Sequence, residues 1–169
     1  MRQRGPGVLL AVDVGNTQTV IGLFAGDELV GHWRVSTNAS LTSDEIRVKV
    51  GGLLALDGRS WGDVTEVIMS SVVPLLTMAW EQVVKDACDC EALVVGPGLK
   101  TGMPIRYSNP HEVGADRIVN GIAAYAAHGG PVVVVDFGTA TTIDVISDDG
   151  AYLGGVIAPG VETSAEALF

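Results

Sequence analysis

The sequence predicts an α/β protein built on a duplicated unit with mixed β-sheets, and three observations carry that prediction. Residues 8–19, VLLAVDVGNTQT, and residues 131–142, PVVVVDFGTATT, match at a constant offset of 123 positions. Each runs an apolar strand into an aspartate, a glycine and a threonine, then resumes as two further strands separated by turns. Between the copies, helical and strand patterns alternate, as in a sheet that carries helices.

Taken in order, Val8–Val12 is a continuous apolar run, which suggests a strand buried on both faces in the middle of a sheet, and Val132–Val135 repeats it. Thr19–Phe24 reads as the second strand, AGDE (25–28) as a turn and Leu29–Val35 as the third strand. Their counterparts are Thr142–Ser147, SDDG (147–150) and Tyr152–Ala158. Val12/Val135, Asp13/Asp136, Gly15/Gly138, Thr19/Thr142 and Gly31/Gly154 are identical pairs, aligned without a gap. Any two β-meanders draw on few residue types, so chance is the competing explanation. The polar Asp-x-Gly at the same strand end in both copies argues against it.

After the first meander, LTSDEIRVKVGGLLALDG (41–58) has an acidic first turn and Ile46, Val50, Leu53 and Leu54 at helical spacing. It predicts a helix from Thr42 closing at Gly58, weakened by Gly51 and Gly52. VTEVIMSSVV (64–73) is a strand, Pro74 opens a helix through Ala87, and ALVVG (92–96) is another strand. Residues 97–114, with three prolines and three glycines, form a connecting loop. ADRIVNGIAAYAAHGG then gives a helix with Ile118, Ile122 and Tyr125 on one face. The second meander follows, and GVETSAEALF begins a further helix.

The chain of 169 residues, 47% hydrophobic and 18% charged, is long enough to bury a core. A formal net charge of −10 and no Lys/Arg run exclude nucleic acid as a first choice of partner. The apolar run after the N-terminal arginines stops at Asp13, too short for a signal peptide, and no stretch is long enough to span a membrane, so a cytoplasmic protein is expected. Cys88 and Cys90, two apart, read as reduced thiols, with redox or metal roles as the lesser alternatives.

A glycine turn at a strand end lets backbone approach a ligand closely, and Asn16, Thr17 and Thr19 add side-chain donors that suit phosphate oxygens. Asp13 repels bare phosphate but can hold hydrated Mg²⁺ that bridges to it. Standing once, the same Asp-Gly turn could equally bond its own backbone; two copies facing across a cleft would clamp a nucleotide. Neither G-x-x-x-x-G-K-[ST] nor G-x-S-x-G is present, and GPGLKTG (96–102) has the wrong spacing for G-x-G-x-x-G. His32, His111 and His128 are scattered and read as ordinary surface or packed histidines.

LLAVDVGNTQTVIGLF, YSNPHEVGADRIVN, DFGTATTIDVI and GGVIAPG, in that order, are similar to the motif set of type III pantothenate kinases. The resemblance covers essentially the whole chain. It implies the acetate and sugar kinase/Hsp70/actin superfamily, whose fold is a duplicated ribonuclease H-like (actin-like ATPase) domain. Residues 1–112 would be the first such domain with the ATP phosphate loop. Residues 113–169 would be the N-terminal part of an incomplete second one. The activity implied is ATP-dependent phosphorylation of pantothenate to 4′-phosphopantothenate, the first step of coenzyme A biosynthesis. Residue by residue, it puts ATP binding on Asp13, Val14, Gly15, Asn16, Thr17, Gln18, Thr19, Val20 and Thr139. Pantothenate falls on Tyr107, Gly114, Ala115, Asp116 and Arg117, with Asp116 as proton acceptor. Asp136 is the implied ligand of a monovalent cation, K⁺ or ammonium, with Mg²⁺ accompanying ATP, and the assembly implied is a homodimer. A later substrate-contacting threonine of the family has no counterpart before Phe169, so residues 1–169 alone are expected not to turn over pantothenate.

The residues agree in part with these roles. Asp116 sits in the first turn of a predicted helix, where the dipole favours its ionised form; an acid kept only for the dipole is the plainer alternative. Arg117 supplies a fork for the substrate carboxylate or, equally, for a surface ion pair. Asp136 repeats Asp13 yet follows an apolar strand with no basic neighbour, so it reads as a buried carboxylate that needs a counter-ion. The rivals are another small-molecule kinase of the superfamily and a catalytically inactive relative acting as a regulatory partner. GADR and PIRYSNP argue against the first, and the intact motif residues against the second.

Overall fold

Strand β1 (Val8–Val14) lies at the centre of a five-stranded sheet in the computed structural model, which describes residues 7–96 and 99–167. Its neighbours are β2 (Gln18–Ala25), antiparallel, and β4 (Val64–Ser71), parallel; β3 (Glu28–Ser36) and β5 (Ala92–Val95) flank them in the order β3-β2-β1-β4-β5. The sheet is mixed because tight turns join β1, β2 and β3, while helical crossovers bring β4 and β5 in parallel. The crossovers are α1 (Ser43–Leu56) and α2 (Pro74–Ala87). Val8, Leu10, Val12 and Val14 are at most 3% exposed and pack with Ile46, Val50 and Leu54 of α1 and Leu76, Trp80, Val83 and Val84 of α2. Leu9 and Ala11, on the other face, are half-buried, so β1 is central but fully covered on one face only.

The helix ends follow from named residues. Thr42 and Glu45 form a capping box: Thr42 Oγ1 accepts from Glu45 N at 3.3 Å, and Glu45 Oε2 accepts from Thr42 N at 2.9 Å. The Thr42 backbone N–H, aided by the Thr42 hydroxyl, holds the Glu45 carboxyl below its usual value. A depressed folded value contributes stability above the unfolded carboxylate's pKa, and that contribution is lost as pH falls through the lowered value. Thr42→Ala is expected to lower stability by about 1 kcal/mol, read as a shifted urea midpoint with unchanged m-value. At the other end, Gly58 N donates to Ala55 O and Arg59 N to Leu54 O, with Gly58 at φ +68, a Schellman stop. Gly51 has a packing role, since a Cβ there would lie 3.1 Å from the Trp61 indole nitrogen, which donates to Arg47 O.

The compact units divide between Val95 and Gly96, ahead of the boundary expected at 112/113. The reason is local: Met103 and Ile105 of the loop pack with Val113, Ile118, Ile146 and Tyr152, and Ile105 forms a parallel bridge to Tyr152. The second unit then holds α3 (Ala115–His128), β6 (Val132–Phe137), β7 (Ala140–Ile146), β8 (Tyr152–Pro159) and α4 (Val161–Glu166). Short 3₁₀ turns at Trp61–Asp63 and Pro110–Glu112 were not foreseen. The sheet β6-β7-β8 is antiparallel throughout, as a three-strand meander requires. Among the described residues β6 is an edge strand, not a central one, and Val133, Val135 and Phe137 are 58%, 46% and 73% exposed. Helix α3 covers only the opposite face, through Ile118 and Gly121, where a Cβ would lie 2.9 Å from Ile146 Cδ1. Among the described residues no helix is long and apolar enough to cross a membrane.

Candidate active site

The first Asp-x-Gly turn closes β1 onto β2. Gly15 N donates to Gln18 O at 3.0 Å, and a Cβ on Gly15 would stand 2.9 Å from that oxygen, so glycine permits the turn. Thr37 N donates to Thr17 O at 2.8 Å and ties the loop to the end of β3. Asp13, Asn16, Thr17 and Gln18 are exposed, and Gly15 and Val20 are half-buried. Val14 and Thr19 face inward: Val14 is fully buried, and the Thr19 hydroxyl, 4% exposed, bonds Thr37 Oγ1 at 2.8 Å. The Thr19 hydroxyl is thus engaged inside the unit, and the buried Val14 offers the loop only its backbone. The parallel register puts Ser70 and Ser71 of β4 beside Asp13 and Val14. Ser71 Oγ accepts from Val73 N and from Thr77 Oγ1, which braces this end of the sheet. These hydroxyls were missed, although SSVV directly after an apolar strand is a readable signal of a strand end.

The second turn is one residue tighter. Asp13 pairs with Val20 and Val14 with Thr19, but Asp136 pairs with Thr142 and Phe137 with Thr141. The copies β6 and β8 keep the offset of 123, whereas β7 is set at 122, so Thr141, not Thr142, occupies the place of Thr19. Gly138 N donates to Ala140 O, and Thr139 O accepts from Gly160 N and from the Thr163 hydroxyl. Asp136 is exposed rather than buried, and its Oδ2 accepts from Asn120 Nδ2 at 3.1 Å.

Helix α3 begins at Gly114, which provides no side-chain cap. Ala115 is buried, and Asp116, half-buried, accepts the backbone N–H of Arg117 at 2.8 Å. Asp116 and Asn120 are one turn apart on this helix, so one face of α3 carries both the Asp116 carboxylate and the amide bonded to Asp136. The Arg117 fork is already engaged: Nε donates to Asp144 Oδ1 at 2.8 Å, and Nη2 lies 2.5 Å from the same oxygen. The pair is largely buried, not the surface pair that was the alternative expected of Arg117. Burial lowers the Arg117 pKa, but the hydrogen bond and charge of Asp144, with Tyr152 and Asp116, outweigh it and hold it above its usual value. Tyr107, 37% exposed, lies against Gly154, where φ is +135 and a Cβ would stand 3.1 Å from the ring. Gly155, next to it, faces Arg117, and a Cβ on Gly155 would stand 2.5 Å from Nη2.

Other candidates fall away from this cluster. His32, His111 and His128 are all exposed. Burial, with Cys90 nearby, pushes the Cys88 thiol up to about 12, and burial also raises Cys90, so neither is an activated thiolate at neutral pH. Among the described residues no three His, Cys, Asp or Glu side chains gather to hold a metal ion. Asp136 by itself presents hard oxygen donors, one of them held by an amide, with no ion pair recorded to it among the described residues. One exposed carboxylate falls short of the oxygen shell that a divalent ion takes, so any cation at Asp136 needs further oxygens from elsewhere.

Among solved structures, the ethanolamine utilization protein EutJ from Carboxydothermus hydrogenoformans superposes with a TM-score of 0.55 at 18% identity, over 92% of this chain and 53% of that one. That likeness bears on fold alone and agrees with the expected α/β architecture of the actin-like ATPase type. A curated type III pantothenate kinase of Moorella thermoacetica is 52% identical over 162 residues, and one of Geotalea daltonii 51%. Each match takes in 96% of this chain, which spans 64% and 63% of the relatives' own lengths. The family model for type III pantothenate kinase matches residues 9–169. With a match from β1 to the end of the chain and about half of all positions identical to these relatives, the chain belongs to the type III pantothenate kinase family.

Proposed function

We propose that this chain carries nucleotide- and substrate-binding parts of an ATP-dependent pantothenate kinase. The reaction passes the γ-phosphoryl group of ATP to the substrate hydroxyl, giving 4′-phosphopantothenate, ADP and a proton. The observation that carries this reading is helix α3, which holds the candidate base Asp116 and, one turn on, Asn120, whose amide donates to the candidate cation ligand Asp136 of β6. The names of the curated relatives support the substrate.

In this reading the exposed backbone and side chains of residues 15–18 receive the phosphates, with Thr139 as a further nucleotide contact. Asp116 accepts a hydrogen bond from the pantothenate hydroxyl and aims it in line with the γ-phosphorus. The loose transition state of phosphoryl transfer takes that proton late, so a weak base suffices. Tyr107 and Gly114–Arg117 line the substrate. Mg²⁺ arriving with ATP, with Asp13 as its water-bridged partner, and K⁺ or ammonium at Asp136 would offset phosphate charge. A cytoplasmic homodimer is part of the same proposal.

The test is pantothenate-dependent ADP formation by the full-length protein in K⁺, ammonium and Na⁺. Turnover is expected to be higher in K⁺ or ammonium than in Na⁺, and Asp136→Ala to lose that difference. No pantothenate-dependent turnover in any of these salts would overturn the kinase reading. Turnover indifferent to the cation would overturn the role of Asp136.

A further inference from the structure

Asp144 is the one fully buried carboxylate among the described residues, 1% exposed in β7. Its Oδ1 receives Arg117 Nε at 2.8 Å and the Tyr152 hydroxyl at 2.6 Å, with Arg117 Nη2 at 2.5 Å, while Oδ2 has no hydrogen-bond partner. A buried ion pair is weak evidence of stability, because well-packed apolar residues of the same volume do as well or better. Its geometry therefore matters more than its energy.

That geometry is directed at the candidate active site. Arg117 follows Asp116 directly, and its backbone N–H is bonded to the Asp116 carboxylate. The helix start they occupy has no side-chain cap at Gly114, so its first turn is tied to the sheet by the link to Asp144, one turn before Asn120 reaches Asp136. Strand β8 leaves room for the link, since a Cβ on Gly155 would stand 2.5 Å from both Arg117 Nη2 and Asp144 Oδ1. The Arg117 guanidinium also lies 5.8 Å from the centre of the Tyr152 ring, which limits its movement sideways.

We propose that Asp144 is a positioning residue: through Arg117 it fixes the first turn of α3, and with it the carboxylate of Asp116, against the sheet. The proposal rests on the reading of Asp116 as the group that receives the substrate's proton.

In the full-length protein, Asp144→Asn is expected to lower kcat roughly 10- to 100-fold, the scale of a misplaced reacting group, with KM for ATP within about twofold of wild type. The amides of Ile118 and Val119, where the helix makes its first backbone bonds, should exchange about tenfold faster or more while those of β7 and β8 keep their rates. If Asp144→Asn does not fold, Asp144→Glu, which keeps the charge but moves it, carries the same expectations. Wild-type kcat in a folded variant, or exchange that quickens evenly through the second unit, would overturn the proposal. If the wild-type protein does not phosphorylate pantothenate, the kinase reading fails by itself, and the exchange pattern still decides whether Asp144 holds the helix start.

Discussion

Asp116→Asn in the full-length protein is expected to lower kcat for pantothenate phosphorylation by about 10²-fold or more, with KM for ATP nearly unchanged. Asparagine keeps the size of the side chain and an oxygen that can still accept the Arg117 backbone N–H, so the first turn of α3 should survive. What it loses is the charge that orients the hydroxyl and takes its proton. The competing role, an acid kept for the helix dipole, predicts a different outcome: a stability loss of about 0.3–1 kcal/mol and unaltered turnover. Steady-state kinetics beside a thermal melt separate the two. Near-normal kcat with a lowered melting temperature would remove Asp116 from the chemistry.

Much of the architecture is legible in the sequence because local signals agree with the fold. Thr42, Gly58 and Pro74 each mark a helix boundary by a mechanism that needs no distant partner. The repeat is legible too, but its register is not. Three threonines near the second turn, Thr139, Thr141 and Thr142, let a gapless alignment pair Thr142 with Thr19, while the hairpin closes one residue sooner. Asp144 was unreadable for a related reason. In TTIDVI the alternation suggests Ile143 and Val145 inward and Asp144 outward, yet Asp144 and Ile146 are buried, because α3 packs on their face. An ion pair to Arg117, across 27 positions, leaves no mark in local spacing.

The same comparison of copies predicts opposite outcomes for equivalent substitutions. Val133, Val135 and Phe137 of β6 correspond to Leu10, Val12 and Val14 of β1, and Ile143 and Val145 to Ile21 and Leu23. In the first unit that face is buried under α1 and α2; in the second the same face is exposed among the described residues, with Val156 continuing it on β8. Val12→Asp in the 169-residue chain should abolish folding of the first unit, since an unpaired carboxylate buried at 3% exposure costs several kcal/mol, a large fraction of a domain's stability. Val135→Asp, at 46% exposure, should leave the thermal midpoint nearly unchanged. It should also reduce self-association and binding of a hydrophobic dye, which a contiguous apolar face of this extent promotes. Equal unfolding by the two substitutions would mean that the β6 face is covered in solution as the β1 face is. A second copy of the chain could supply that cover, in which case wild-type protein would sediment as a dimer and bind little dye. Dye binding by the wild-type chain that Val135→Asp and Phe137→Asp progressively remove is the result expected of an uncovered sheet.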